Sequence, residues 1–338
     1  MSASSVSIII PVRDAERTIE RCLRALAAST AAPREVLLID DGCTDGTLAI
    51  VERVSREAGL AVTVVPNRKP GGVAQARNYG ASRAAGEILL FVDADVILEP
   101  GAIEAGQRAI ESDGLDVAVG LQSAESAFAN ATSIYKNLWL RHTYWIRSGR
   151  FSVIYSSAVA IRKEAFEAVG GFDANYRKPN IEDSELGKRM SEAGYRVGLV
   201  EKLHFLHIKR YNLSSMLRTD FDRTVGMTKV QLRDRFQRIR RENYTSIPTG
   251  FLVSCFAPWL VLSILLLGTI PGIVAWKTLL LVPPLLVILL NFPWIAYLAR
   301  REGPLFALKG VVLLHLDVLA VNAGLFWGAW EYALGRKY

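Results

Sequence analysis

The 338-residue chain has only three cysteines, Cys22, Cys43 and Cys255. They show no pairing pattern, which excludes a disulfide-stapled scaffold and fits a reducing compartment. No basic-then-apolar secretory signal opens the chain. Its first apolar run, SVSIIIPV, is too short and meets Arg13 and Asp14 at once, so the large polar domain is expected to stay in the cytoplasm. The turn after that run, PVRDAE, is not glycine-rich, which argues against a dinucleotide-binding loop. Charge is what two later stretches lack. From Phe251 to Trp276, and again from Thr278 to Ala299, there is no charged side chain. Each stretch is longer than the roughly 20 residues a helix needs to cross a bilayer. A third stretch, Leu305 to Leu334, is apolar but carries Lys309, His315, Asp317 and Glu331. It reads as a third span, with a helix half buried in the interface as the alternative.

Hydrophobic residues make up 51% of the chain, and the excess is concentrated in these stretches. The net charge of +7 is uneven too. Between Lys229 and Arg241, six basic residues stand against the single acid Asp234, just before the first uncharged stretch. Basic residues beside a span match the positive-inside rule and attraction to anionic headgroups. Their place against a span disfavours a nucleic-acid site. The expected organisation is a domain over residues 1–228, a basic interfacial segment over 229–247, and a membrane domain over 248–338 with two or three spans.

The first part of the chain alternates strands and helices. SVSIIIPV, REVLLIDDG, LAVTVVPN and EILLFVDAD read as buried strands. DAERTIERCLRALAAS, TDGTLAIVERVSREAG and GGVAQARNYGASRAAG read as helices, with Asp14 a fair N-cap for the first. That alternation implies an α/β fold, a parallel sheet with helices on both faces. In such sheets ligands bind beyond the carboxyl ends of the strands. The acids collect there: Asp14 after the first strand, Asp40 and Asp41 after the second, Asp93 and Asp95 after the fourth. So many carboxylates repel one another unless a cation or donors sit among them. On an extended backbone, the D-x-D of Asp93 and Asp95 would point both side chains to one side, a pair suited to Mg2+ or Mn2+ sharing phosphate oxygens. The plainer readings are a turn with two solvated acids, or Asp95 as a helix N-cap.

Four segments in order, SIIIPVRDAERTIERCLRAL, VLLIDDGCTDGT, ARNYGASRAAGEILLFVDAD and GGFDANYRKPNIEDSELGKRMSEAGYRVG, resemble family 2 glycosyltransferases over about residues 5–210. The resemblance implies a GT-A fold, with a Rossmann-like, mostly parallel sheet. It also implies transfer of a sugar from a nucleotide-sugar with inversion at the anomeric carbon. Carried over by motif, Pro11, Val12 and Asp14 form part of the nucleotide pocket. Asp41 accepts from the base, Arg77 lies near the diphosphate, and Asp93 and Asp95 are the metal motif, Asp93 also touching the donor. Asp183 is the general base, and Glu182 orients the acceptor or Asp183. Without the resemblance, these two acids read as ordinary charges at a helix start. A histidine on the metal or diphosphate is expected after this point, and His207 is chosen over His204.

Processive relatives carry Q-x-x-R-W before a span. Here QRIRR, Gln237 to Arg241, has arginine in place of tryptophan, which favours one sugar per acceptor. The aromatic run from Asn130 to Arg162 offers Trp139, Tyr144 and Trp145 for sugar stacking or lipid contact, though core packing is the commoner fate of such residues. The segment from Arg210 to Met227 is expected near the acceptor mouth, or as a plain interfacial helix. An anchored enzyme beside a basic interface suits a lipid-linked or polyprenyl-phosphate acceptor at the inner face of the cell membrane. The rival readings are a tethered, inactive nucleotide-sugar-binding protein and a nucleotidyltransferase.

Overall fold

The structure is a computed structural model that describes residues 5–67, 70–146, 153–177, 180–233, 247–269 and 276–338. The chain divides into two compact units. Among the described residues, the first holds 5–128 and 144–210, and the second holds 129–143, 211–233 and 247–338.

Unit 1 is built on one eight-stranded sheet. Strands β1 (Val6–Val12), β2 (Glu35–Asp40), β3 (Val62–Pro66) and β4 (Ile88–Val92) are parallel and lie in the order β3-β2-β1-β4. Helices α1 (Ile19–Ala27), α2 (Thr47–Ala58) and α3 (Val73–Arg83) join them. β1 and β4 are apolar and buried because helices cover both sheet faces. On α1, Ile19, Cys22, Leu23 and Leu26 recur at helical spacing and are all buried. The chain leaves β1 toward β2 on one side and returns to β4 on the other. The carboxyl ends of β1 and β4 therefore flank a switch point, where α/β sheets open a ligand crevice.

Beyond β4 come β5 (Val96–Leu98), α4 (Ala102–Glu111), β6 (Val117–Gln122), α5 (Ala131–Trp145), β7 (Ala158–Arg162), α6 (Lys163–Ala168), α7 (Glu182–Glu192) and β8 (Val197–His207). The full order is β3-β2-β1-β4-β7-β6-β8-β5. β6 and β8 run with β4, while β7 and β5 run against it. The sheet is thus mostly parallel, with two reversed strands that the alternation of elements does not announce.

Two local expectations give way. Asp14 does not cap α1, which starts at Ile19 after Thr18 without a side-chain cap bond. Asp14 instead takes a positive φ of 50° and accepts hydrogen bonds from a loop 30 residues on. The D-x-D backbone is not extended either. Val96 N–H donates to the Asp93 carbonyl (3.1 Å), closing a turn through Ala94 and Asp95 that reverses the chain into β5.

Unit 2 is helical. It takes the greater part of α5, then α8 (Leu213–Arg233), α9 (Thr249–Ser254), α10 (Ala257–Leu267), α11 (Trp276–Leu279), α12 (Val282–Leu290), α13 (Phe292–Glu302) and α14 (Pro304–Ala333). Among the described residues, Thr249–Leu267 and α14 are each long and apolar enough to cross a membrane. The second uncharged stretch is not one straight span: Lys277–Leu290 and Phe292–Glu302 meet at 64°. Pro293 has no N–H to continue the helix across the break. The buried Asn291 donates instead to Ser254 Oγ (2.7 Å) and the Val287 carbonyl (2.9 Å).

The polar residues of α14 meet partners inside this unit. Asp317 lies against Asp220, Lys136 and Tyr135. Asn322 Oδ1 accepts from Trp259 Nε1 (3.0 Å), and Glu331 pairs with Lys229 (2.5 Å). α8 and α14 approach closely at Gly328, where a Cβ would stand 2.9 Å from Thr228 and the Val225 carbonyl. Of the basic run, Lys229 and Arg233 belong here. Asp234, Arg235 and the QRIRR segment lie outside the described residues. Trp139 packs between Phe251 and Trp294 (5.1 Å each) and is a core residue, whereas Trp145 is exposed.

Candidate active site

The carboxyl edge of the sheet in unit 1 gathers the acids. After β1, Asp14 Oδ1 accepts from Thr44 N–H (2.7 Å), Thr44 Oγ1 (3.1 Å) and Asp45 N–H (3.3 Å). The Thr44 amide holds its carboxyl below the usual carboxylate range. Asp14 thus ties the β1 end to the β2–α2 loop. Pro11 and Val12 pair with Ile39 and Asp40 across the strands. After β2, Asp40 Oδ1 accepts from the amides of Gly42 and Cys43. Asp41 is buried, and Asn67 Nδ2 donates to it (2.7 Å) from the end of β3. The β1, β2 and β3 ends are therefore tied together along one edge of the sheet, with Asp41 and Asn67 as a paired polar group there.

The β4 end is the centre of a second cluster. Arg77, on α3 and only 3% exposed, puts one guanidinium nitrogen on Asp93 Oδ1 (2.7 Å) and another on Glu182 Oε1 (3.0 Å). The pairing spans 105 residues from Arg77 to Glu182. Ser157 Oγ donates to the other Asp93 oxygen (2.8 Å). Both oxygens of Asp93 are therefore held in place. Glu182 Oε2 accepts from Asn180 N–H (2.8 Å) at the start of α7. Asp183 is 5% exposed; its Oδ1 accepts from Ser184 N–H (2.7 Å) and its Oδ2 from Ser156 N–H across a long 3.4 Å. Leu186 and Met190 bury the inner face of α7 and fix the carboxylates at its N-terminus. Gly72, with φ +97° ahead of α3, allows a close approach: a Cβ there would stand 2.0 Å from the Arg177 carbonyl.

Asp95 keeps different company. β5 pairs with β8 so that Val96 faces His207. His207 Nε2 then lies 3.1 Å from Asp95 Oδ2. Burial works against ionisation of Asp95, but His207, the hydrogen bond to it and Lys209 together hold the carboxyl below the usual range. The same register carries His204 away, onto Glu99 (2.6 Å).

The sequence reading did not single out Ser156, Ser157 or Asn67. Ser156 and Ser157 immediately precede the apolar run of β7. Because β7 is antiparallel to β4, with Ala158 opposite Val92, its amino end reaches the edge where parallel strands end. The signal, polar residues beside an apolar strand, is the one the acids gave. It is readable only once the direction of β7 is known.

Residues 7–170 match the family described as Glycosyl transferase family 2, and residues 143–215 match one described as N-terminal domain of galactosyltransferase. Glycosyltransferase AglE of Haloferax volcanii is 26% identical over 238 residues, 68% of this chain and 75% of that protein. The succinoglycan biosynthesis protein ExoA of Rhizobium meliloti is 26% identical over 342 residues, 97% of this chain and 95% of that one. Among solved structures, the mannosyltransferase PcManGT of Pyrobaculum calidifontis, in complex with GDP-Man and Mn2+, superposes with a TM-score of 0.60 at 17% identity, covering 99% of this chain and 89% of that one. Structural likeness at that identity establishes the fold, which is GT-A. The family match, the relatives and the sheet edge agree: residues 7–170 carry a family 2 glycosyltransferase domain, and the chain is a glycosyltransferase, an enzyme that transfers sugars.

Proposed function

We propose that this enzyme moves one sugar from a nucleoside-diphosphate sugar to a lipid-linked acceptor, with inversion and with help from a divalent cation. The observation that carries the reading is the Arg77 bridge. It joins Asp93, at the donor edge, to Glu182, whose neighbour Asp183 would be the base. The nucleotide would lie over Pro11, Val12 and Asp14, with its base on Asp41. The buried Arg77 sets the two acids at a fixed separation and balances their charge beneath the diphosphate.

In a single displacement, Asp183 accepts the acceptor hydroxyl proton as the new bond to the anomeric carbon forms and the nucleoside diphosphate leaves. Asp183 stands at the N-terminus of α7, where its Oδ1 accepts from the Ser184 amide and is held in place. Glu182, held by Arg77 and Asn180, orients the acceptor side of the site.

Among the described residues, no three His, Cys, Asp or Glu side chains converge as a complete cation site. The donors present still fit one. Asp95 carboxylate and His207 Nε2 sit together, and Mg2+ or Mn2+ commonly fills its remaining positions with phosphate oxygens and water. Two solved relatives of the fold, the mannosyltransferase and GalNAc-T7 with UDP, GalNAc and Mn2+, contain the metal. When bound, the cation neutralises charge on the leaving diphosphate. Asp95 and His207 would hold it, with Asp93 facing the donor.

Two or three candidate spans and the basic residues beside them support an anchor in the inner membrane, with the transferase unit on the cytoplasmic side. An anchored enzyme meets a lipid-borne acceptor at raised effective concentration. The similarity to a succinoglycan biosynthesis protein supports a role in saccharide assembly.

The test uses the full chain in detergent, supplied with UDP-, GDP- or dTDP-sugars and a polyprenyl phosphate. The expected result is release of nucleoside diphosphate only when acceptor is present, with a product of inverted anomeric configuration. Retention of configuration, or release of pyrophosphate, would overturn the mechanism.

A further inference from the structure

The segment Tyr155-Ser156-Ser157 touches two of the acids, Asp93 and Asp183, and reaches Asp95 through a histidine. Ser157 Oγ donates to Asp93, and the Ser157 carbonyl accepts from Asp93 N–H (3.2 Å). Ser156 N–H donates to Asp183. Tyr155 reaches the third acid through a histidine. Its hydroxyl lies 3.2 Å from His207 Nδ1, and His207 Nε2 lies 3.1 Å from Asp95. Tyr155 is itself buried, its ring stacked on Phe205 (6.1 Å) and packed on Tyr144 (5.5 Å). A ring held on two sides delivers its hydroxyl to a fixed point.

We propose that Tyr155 is a positioning residue that sets the orientation and tautomer of His207 for the divalent cation. The inference rests on the cation reading above and deepens it. A histidine binds a cation through a ring nitrogen that carries no proton, so Nε2 turned to a cation would leave the proton on Nδ1, where N–H can donate to the Tyr155 oxygen. A hydroxyl both donates and accepts, so Tyr155 can bond Nδ1 with or without that proton. A backbone carbonyl at that point could only accept, and phenylalanine could do neither. Partners on the far nitrogen of a ligating histidine fix its orientation, and their loss costs about ten- to a hundredfold in metal affinity. Because Ser156 and Ser157 follow in the same strand approach, the segment that orients His207 also carries the donors to Asp183 and Asp93.

Mn2+ binding to the full chain in detergent, followed by electron paramagnetic resonance in the presence of UDP or GDP, tests this without turnover. Tyr155→Phe keeps the ring packing and removes the hydroxyl. It should weaken Mn2+ about ten- to a hundredfold. In a His207→Ala background the same change should add no more than about twofold, the ordinary error of additivity. Wild-type Mn2+ affinity in Tyr155→Phe, or an equal loss with and without His207, would overturn the role of Tyr155 while leaving the cation site standing. No Mn2+ binding by the wild-type protein with either nucleotide would overturn the cation site and this role together.

Discussion

The two units bury opposite kinds of surface. In unit 1, Ile8, Ile9, Ile10, Leu38 and Phe91 are wholly enclosed, and the polar groups gather at one edge of the sheet. In unit 2, large apolar side chains face outward, with Phe256 at 72%, Leu305 at 72% and Leu289 at 70% exposure, while Lys136, Asp317, Asn291 and Asn322 are buried. The first arrangement is stable in water, where apolar area is driven inside. The second is stable where the surroundings are themselves apolar and every internal polar group must find a partner. The contrast fits the proposed anchor, with water around unit 1 and lipid around unit 2, and it separates two settings of buried charge. In unit 1, Arg77, Asp93, Glu182 and Asp183 gather at one edge of the sheet, where we propose the transfer takes place. In unit 2, Lys136, Asp220 and Asp317 join helices α5, α8 and α14 to one another.

Substitutions should break the comparison unequally. The largest effect is expected at Asp183: Asp183→Asn should lower the transfer rate by about a hundred- to ten-thousandfold, the usual worth of a general base, with donor binding nearly intact. Steady-state turnover alongside isothermal titration with donor checks both halves, and a variant as fast as wild type removes Asp183 from the mechanism. In unit 2, Lys136→Met strips the cation from the partly buried Asp220, with side-chain exposures of 2% and 14% for the pair. Removing one partner of a buried pair should cost about 3–5 kcal/mol, read as a lower melting temperature in detergent. An unchanged melting point would mean the cluster is solvated. Leu289→Arg places a charge on the outward face of α12, and insertion should become about 2.5–3.5 kcal/mol less favourable at a span centre. The membrane-bound fraction after expression measures this, and no change would place that face in water. The smallest effect belongs to the well-packed sheet: Ile8→Val should cost about 0.5–1.5 kcal/mol by thermal denaturation and leave transfer unaltered.

The sequence exposed unit 1 more fully than unit 2, for a physical reason. β1 to β4 and α1 to α3 follow simple rules, apolar runs for doubly covered strands and three-to-four spacing for helices, and each is legible within a dozen residues. The acids were legible too, because they end apolar runs. What depends on long-range pairing was hidden. Nothing in PNIEDSELG states that Glu182 meets an arginine 105 residues earlier. VILEP reads as the start of a helix, yet Val96–Leu98 becomes β5 because β8 offers it an edge to pair with. That pairing, not any local signal, brings His207 beside Asp95. The Asn291 bend was masked in the same way: composition counts apolar residues but does not register that Pro293 withdraws a hydrogen bond.

In the proposed site Asp95 and His207 hold a cation that holds a nucleoside diphosphate. Melting the purified full chain in detergent with UDP-, GDP- and dTDP-sugars, each with and without Mn2+, tests it most directly, since a ligand bound only to the folded state raises stability in step with its concentration over its dissociation constant. The expected result is a rise with one nucleotide that requires Mn2+ and disappears in Asp95→Ala. A rise that is indifferent to Mn2+ and to Asp95, or none with any donor, would contradict it.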